Sequence, residues 1–206
     1  INCIDPAGGY VYYIASPENF TQRYLYRSRL DGTGEAERVS PPGMAGQHSY
    51  QISADARYAI HSFENAGTPR RISLIDLATH TTIKLLEDNA VLKNRISELK
   101  LHPKEFFKVD IGDIVLDAWI IKPGGFDPQK KYPLIVHVYG EPAGSTVQDN
   151  WGTGDNLWHQ YLANQLDCIV ISIDNRGTRV PRGREFRKCI YRQIGLLAAD
   201  DQAKAA

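Results

Sequence analysis

Residues 132–139 read YPLIVHVY, and residues 167–174 read DCIVISID. Both runs are almost continuously apolar, which is typical of strands buried on both faces of a sheet. Between them lie a Gly- and Asn-rich loop and a segment with apolar residues at helical spacing, which Asp155 or Thr153 could cap. That segment carries Leu157, Trp158, Tyr161, Leu162 and Leu166. A strand, a helix and a strand form a crossover, so we predict that the two strands are parallel neighbours.

The segments around this crossover extend an α/β pattern over residues 96–206. Residues 106–109 (FFKV) and 114–121 (IVLDAWII) flank a polar turn and predict a hairpin. Residues 184–194 (REFRKCIYRQI) predict a basic amphipathic helix that ends at Gly195. The Ala-rich residues 200–206 predict the start of a further helix, whose first turn would be capped by Asp200 and Asp201.

Residues 1–95 have a different pattern, with short runs of β-branched and aromatic residues. Tyr10 and Tyr58 are separated by 48 residues, and Leu30 and Leu77 by 47. A repeat of this length, with several strands in each copy, is typical of β-propeller blades. A small β-sandwich is the alternative. The predicted strands are residues 9–15, 23–30, 58–63, 71–77 and 82–86, and residues 89–98 form a helical or irregular connection.

Composition excludes several classes of protein. Lys plus Arg number 24, as do Asp plus Glu, so the balanced charge offers no footprint for nucleic acid or an anionic membrane. No apolar run reaches the roughly 18 residues of a membrane span, and the first residues do not form a signal peptide. The three cysteines and six histidines lack disulfide-framework or metal-ligand spacing, so we predict no cofactor and no metal.

Several motifs follow one another in an order that resembles a known family. Residues 137–142 (HVYGEP) resemble the Val-Tyr-Gly-Gly-Pro or Val-Tyr-Ala-Gly-Pro turn of dipeptidyl peptidase IV-like enzymes. Residues 173–178 (IDNRGT) resemble their Asp-Asn-Arg-Gly-(Thr/Ser) segment, and Gln202 matches their helix before the nucleophile strand. The remaining similar segments are residues 16–19, 52–58, 181–187 and 190–195. The chain is therefore similar to serine peptidases of the prolyl oligopeptidase superfamily, most of all to the bacterial branch.

This resemblance implies a β plus α/β architecture in an internal fragment. Residues 1–95 would be the last blades of a β-propeller, and residues 96–206 the first part of an α/β-hydrolase domain. The sequence has no Gly-x-Ser-x-Gly elbow, and Ser145 lacks its spacing. We therefore expect the chain to be truncated before the nucleophile, to lack the Ser-Asp-His triad and to be inactive by itself.

The resemblance also implies a role for Tyr139, as the oxyanion-hole donor of an acyl-transfer reaction. A phenol suits this role because its ring is stiff and its proton is present at neutral pH. The alternative is a tyrosine that merely ends a strand. Glu141 departs from the glycine that is common in the family at that position.

The implied function is a serine exopeptidase that releases N-terminal dipeptides with Pro or Ala in second position. Its partner would be a peptide substrate, held by residues that this segment leaves unknown. The alternatives are an oligopeptidase or acylaminoacyl-peptidase of the same architecture, or a non-catalytic propeller-hydrolase scaffold. Unpaired sheet edges predict a homo-oligomer, and a periplasmic or secreted location rests on the resemblance alone.

Three other features have structural interpretations. Asp174 and Arg176 are expected to form a buried pair that shapes their loop. His137 is expected to be a satisfied core residue. Residues 19–21 (NFT) fit a glycosylation acceptor, a triplet that also arises by chance.

Overall fold

The computed structural model describes residues 1–152 and 154–206, so the proposed cap Thr153 lies outside the described residues. The chain divides into two compact units. Unit 1 comprises Ile1–Glu98 and Asp149–Trp151, and unit 2 comprises Leu99–Gln148 and Gly152–Ala206.

Unit 1 contains two four-stranded antiparallel sheets, each with its strands in chain order. The first consists of β1 (Cys3–Asp5), β2 (Tyr10–Ala15), β3 (Tyr24–Arg29) and β4 (Glu37–Arg38). The second consists of β5 (Gln47–Ile52), β6 (Tyr58–Asn65), β7 (Thr68–Asp76) and β8 (Thr82–Glu87), after which comes helix α1 (Ala90–Ser97).

The sequence repeat coincides with the repeat of the sheets. Tyr10 and Tyr58 each begin the second strand of a sheet, and Leu30 and Leu77 each follow the third strand directly. The repeat therefore identified one four-stranded sheet per copy, as propeller blades require. Strands β1, β4 and β5 were not predicted, because β1 and β4 are very short and β5 reads QHSYQI, with few apolar residues.

The core of unit 1 is aromatic and aliphatic, with a polar cluster beside it. Its buried members are Tyr12, Leu25, Tyr50, Ala59, Ile75 and Leu77. His48 and His61 are also buried, and a 2.9 Å hydrogen bond joins His48 Nδ1 to His61 Nε2. His48 Nε2 donates to the Met44 carbonyl at 2.8 Å. In the neutral ring, Nδ1 therefore has no proton and accepts the hydrogen bond from His61 Nε2.

Asp149 belongs to unit 1 through three hydrogen bonds. Its carboxylate accepts from Gln22 Nε2 at 2.8 Å and from the Ala66 backbone N–H at 2.9 Å. Its own N–H donates to the Thr21 carbonyl at 2.8 Å. The Asp149 side chain thus connects Asp149–Trp151 to a loop of each sheet, at Gln22 in the first sheet and at Ala66 in the second.

Unit 2 is built on a mixed sheet in the order β11-β12-β10-β9. Its strands are β9 (Glu105–Asp110), β10 (Val115–Ile121), β11 (Leu134–Val136) and β12 (Ile169–Asp174), and its helices are α2 (Gly154–Gln165), α3 (Gly183–Lys188) and α4 (Leu196–Ala205). The predicted hairpin is confirmed as β9 and β10, and the predicted parallel pair as β11 and β12. Apolar clusters cover both faces of this sheet.

Two predictions about the crossover were wrong in detail. Strand β11 has only three residues and lies at the edge of the sheet, where Leu134 is 46% exposed. Helix α2 buries Asn156, His159, Gln160 and Ala163, whereas Leu157, Trp158, Tyr161 and Leu166 are exposed. Hydrogen bonds compensate the burial of Gln160, since its amide accepts from the His102 N–H and donates to the His102 carbonyl, whereas Asn156 Oδ1 has no partner among the described residues.

The two helices after β12 also differ from the prediction. Helix α3 ends at Lys188, and a turn with Arg192 at φ 60° follows it. This turn brings Ile190 against Gly177, where a Cβ would lie 2.5 Å from the Ile190 side chain. Gly195 therefore precedes α4 instead of ending a longer α3. Because α4 begins at Leu196, Asp200 and Asp201 lie beyond its first turn, and the capping interpretation was wrong.

No helix in the described part of the chain is both long and apolar enough to cross a lipid bilayer.

Candidate active site

Tyr139 lies three residues beyond the carboxyl end of β11. Its side chain is 49% exposed, and within residues 1–152 and 154–206 its hydroxyl makes no hydrogen bond. The carboxyl ends of parallel strands are where open α/β sheets build their sites. The hydroxyl is therefore free to donate to a ligand, and its role in the oxyanion hole stays a prediction.

Residues 139–142, which we call the Tyr139 turn, are held by the residue that directly follows β12. Gly140 has a φ of 76°, a left-handed conformation that glycine adopts without strain. Its carbonyl accepts from Asn175 Nδ2 at 3.3 Å, and Asn175 is completely buried. Gln202 of α4 donates to Asn175 Oδ1 at 3.0 Å and to the Ile173 carbonyl at 2.8 Å.

The ring of Tyr139 lies against Gly144. A Cβ added to Gly144 would be 3.0 Å from Tyr139 Cε1, so any side chain there would push the ring away. The Gly144 carbonyl accepts from the Arg179 N–H at 2.9 Å. Residues 175–179, here called the β12 loop, thus hold the chain at two points after Tyr139.

Asp174 anchors the next part of the same segment. Its carboxylate accepts from the backbone N–H groups of Thr146 and Val147 at 2.9 and 3.1 Å, and from Thr146 Oγ1 at 3.2 Å. Burial raises the pKa of Asp174, the bonds from Thr146 and Val147 oppose this rise, and Asp117 adds to it. The predicted pair between Asp174 and Arg176 is therefore wrong, because the Asp174 carboxylate accepts hydrogen bonds from backbone amides instead.

Arg176 instead pairs with Asp201, a partner that the sequence analysis assigned to helix capping. Arg176 Nη2 lies 2.6 Å from Asp201 Oδ1, and the Arg176 backbone N–H donates to Asp201 Oδ2 at 2.8 Å. Asp113 accepts a further bond from Arg176 Nη1 at 2.8 Å. The hydrogen bonds to Asp201 raise the pKa of the Arg176 guanidinium above its ordinary value. Asp201 is fully buried, which no local pattern in an Ala-rich helix could have indicated.

His137 lies in an aromatic cluster with Trp119 and His159. The His137 and His159 rings are 4.7 Å apart, and the ring of Trp119 lies 5.2 Å from that of His159. Burial, with His137 as a smaller cause, lowers the pKa of His159 to about 4. This cluster packs the sheet against α2, but His137 is only partly buried, so its description as a satisfied core residue stays a prediction.

Ser145 accepts a 2.8 Å hydrogen bond from Gln148 Nε2 and is not seated on a strand-to-helix elbow. Among the described residues, no three His, Cys, Asp or Glu side chains are grouped as metal ligands would be.

A cavity of about 430 Å³ in unit 2 includes Pro142, the last residue of the Tyr139 turn. Its walls combine apolar and cationic side chains, namely Ile190, Tyr191, Ile194, Arg187, Lys188 and Arg192. The cavity has room for an organic group, and the Tyr139 turn contributes Pro142 to its lining but not Tyr139 itself.

Comparison with known proteins identifies this arrangement. Residues 1–70 match the family described as the dipeptidyl peptidase IV N-terminal region. Over 98% of its length the chain is 32% identical to the probable dipeptidyl-aminopeptidase B of Emericella nidulans, and it covers 22% of that protein. It is also 32% identical to the probable dipeptidyl peptidase 4 of the same organism, of which it covers 26%.

A solved structure shows the same fold. The crystal structure of Porphyromonas gingivalis dipeptidyl peptidase 4 matches 98% of the chain with a TM-score of 0.87 and 32% identity, and the match covers 28% of that structure. This confirms the predicted fold class, the last blades of a β-propeller followed by the first part of an α/β-hydrolase domain. Equal identity to a fungal and a bacterial protein leaves the bacterial branch a prediction.

The chain thus spans about a quarter of the length of these relatives. In sequence and in fold, the chain is similar to a part of these dipeptidyl peptidases.

Proposed function

We propose that the protein containing this chain is a serine exopeptidase that releases N-terminal dipeptides with Pro or Ala in second position. The peptide would be its substrate, and no cofactor would take part. In this proposal residues 1–95 belong to the propeller and residues 96–206 to the hydrolase domain. The nucleophile, acid and base lie outside this chain, so the 206 residues by themselves would be inactive.

The observation that supports the proposal most directly is the state of Tyr139. A phenol that is half exposed, unbonded among the described residues and mounted on a firmly held turn suits a preorganised donor. Acyl transfer places negative charge on the carbonyl oxygen, and a donor that awaits this charge stabilises the transition state more than the ground state. The Tyr139 hydroxyl would donate a hydrogen bond to this oxygen, and its proton would stay on Tyr139 throughout the reaction.

The test is Tyr139→Phe in the full-length protein, because this change removes one hydroxyl and leaves the ring. We expect kcat on a Gly-Pro anilide to fall by roughly 10²–10³, with little change in KM. Tyr132→Phe is the matched control, since Tyr132 Oη accepts a 2.9 Å bond from the Asp127 N–H, outside the Tyr139 turn. An unchanged kcat for Tyr139→Phe would contradict the role of Tyr139.

Substrate comparison separates the alternatives. Preferred hydrolysis of Gly-Pro and Gly-Ala anilides over acyl-Ala anilides would support dipeptide release. The opposite preference would support an acylaminoacyl-peptidase, and cleavage only within longer peptides an oligopeptidase. Absence of all hydrolysis, with no labelling by a serine-directed fluorophosphonate, would support a scaffold.

A further inference from the structure

The position of the Tyr139 hydroxyl depends on residues that are distant in sequence. Strand β11 ends at Val136, so regular strand pairing does not extend to Tyr139. The backbone beyond it is held by the β12 loop, through Asn175 at the Gly140 carbonyl and the Arg179 N–H at the Gly144 carbonyl. An oxyanion donor must lie within about 2.7–3.1 Å of the developing charge. The groups that hold this backbone therefore determine the position of the Tyr139 hydroxyl.

Asn175 is the side chain in this arrangement that contacts the Tyr139 turn directly. Its Nδ2 donates to the Gly140 carbonyl at 3.3 Å and to the Arg176 carbonyl at 2.7 Å. Its Oδ1 accepts from Gln202 Nε2 at 3.0 Å, which fixes the orientation of the amide. The side chain is fully buried, so water does not replace any of these contacts.

Building on the function proposed above, we propose that Asn175 is a positioning residue for the Tyr139 hydroxyl. Asn175 does not touch the reacting atoms. It restrains the carbonyl of Gly140, the residue directly after Tyr139, and the stiff phenol ring carries the resulting backbone position to its hydroxyl. A displacement of about 1 Å at such a group can lower a rate by up to 10²-fold.

Gly144 offers an independent way to displace the same ring. Gly144 does not have a left-handed φ, so alanine fits its backbone conformation. The new methyl group would nevertheless lie 3.0 Å from Tyr139 Cε1 and 3.2 Å from Cδ1, and the ring would have to move by a few tenths of an ångström. Gly144→Ala therefore perturbs the hydroxyl without breaking a hydrogen bond.

The experiment is a double-mutant cycle in the full-length protein, with Gly-Pro anilide as substrate. We expect Asn175→Ala to lower kcat about tenfold with little change in KM. In a Tyr139→Phe background the same change should have almost no effect, because no hydroxyl remains to be misplaced. Asn175→Asp, which keeps the acceptor for Gln202 but has no donor for Gly140, should behave like Asn175→Ala.

Gln160→Ala is the matched control, because it also removes a buried amide with two hydrogen bonds, here to His102. It should leave kcat unchanged in both backgrounds. Equal losses for Asn175→Ala with and without the Tyr139 hydroxyl would show a merely structural role and overturn the inference, while the proposed function would stand. If Tyr139→Phe alone left kcat unchanged, the inference and the role of Tyr139 would both fail, while continued hydrolysis of the Gly-Pro anilide would still support an exopeptidase. Should Asn175→Ala not fold, Asn175→Asp and Gly144→Ala complete the same cycle.

Discussion

Replacement of Asp201 tests the buried ion pair that joins α4 to the β12 loop. Asp201 is fully buried and receives four hydrogen bonds from the backbone N–H and the guanidinium of Arg176. Asp201→Ala leaves the guanidinium, which is only 17% exposed, without its main partner. Removal of one member of such a pair typically costs about 3–5 kcal/mol of unfolding free energy. Because some water and Asp113 still reach Arg176, we expect the lower end, about 3 kcal/mol.

The measurement is urea unfolding of the protein, followed by tryptophan fluorescence, to which the buried Trp119 contributes. Asp200→Asn is the control, since among the described residues Asp200 forms only an exposed pair with Lys204, and it should have no measurable effect. Arg176→Met combined with Asp201→Leu should destabilise less than Asp201→Ala, because no unpaired charge stays in the loop. A loss below about 1 kcal/mol for Asp201→Ala would refute this reasoning.

Three further predictions concern the rest of the chain. Asp149→Ala should lower the unfolding free energy of unit 1 by about 1.5–3 kcal/mol, because Gln22 and Ala66 lose a charged acceptor. Asp149→Asn should lower it less, and equal losses for the two variants in urea unfolding would contradict the role of the charge. Burial lowers the pKa of His48 to about 4 and that of His61 to about 3, so below their ordinary value the unfolded chain binds protons that the native chain excludes. Stability should therefore fall as the pH decreases from about 6.5 to about 4. The urea midpoint of His48→Gln should fall less over this range than that of the unchanged protein, and an equal fall in both proteins would contradict the prediction. The isolated chain should form homo-oligomers, because the described part of the sheet leaves one edge of β11 unpaired; a monomer at all concentrations in sedimentation velocity would contradict this.

The sequence alone determined the features that depend on local patterns. The period-two runs, the repeat that relates Tyr10 to Tyr58, and the apolar runs on either side of the crossover each correspond to an element of the fold. These patterns are readable because a buried strand needs apolar side chains wherever it lies in the molecule. Tyr139 was singled out by the resemblance of residues 137–142 to a family motif, and not by the pattern of apolar residues.

Tertiary structure decided the features that depend on which distant residues meet. Helix α2 buries Gln160 where His102 supplies its partners, and the turn after α3 places Ile190 against Gly177. The partner of Arg176 is Asp201 and not the nearby Asp174, which backbone amides of another loop already occupy. A charge or an amide is satisfied by whichever group the fold brings within about 3 Å. Sequence spacing carries no record of that distance, and so the residues that hold Tyr139 in place became visible only in the folded chain.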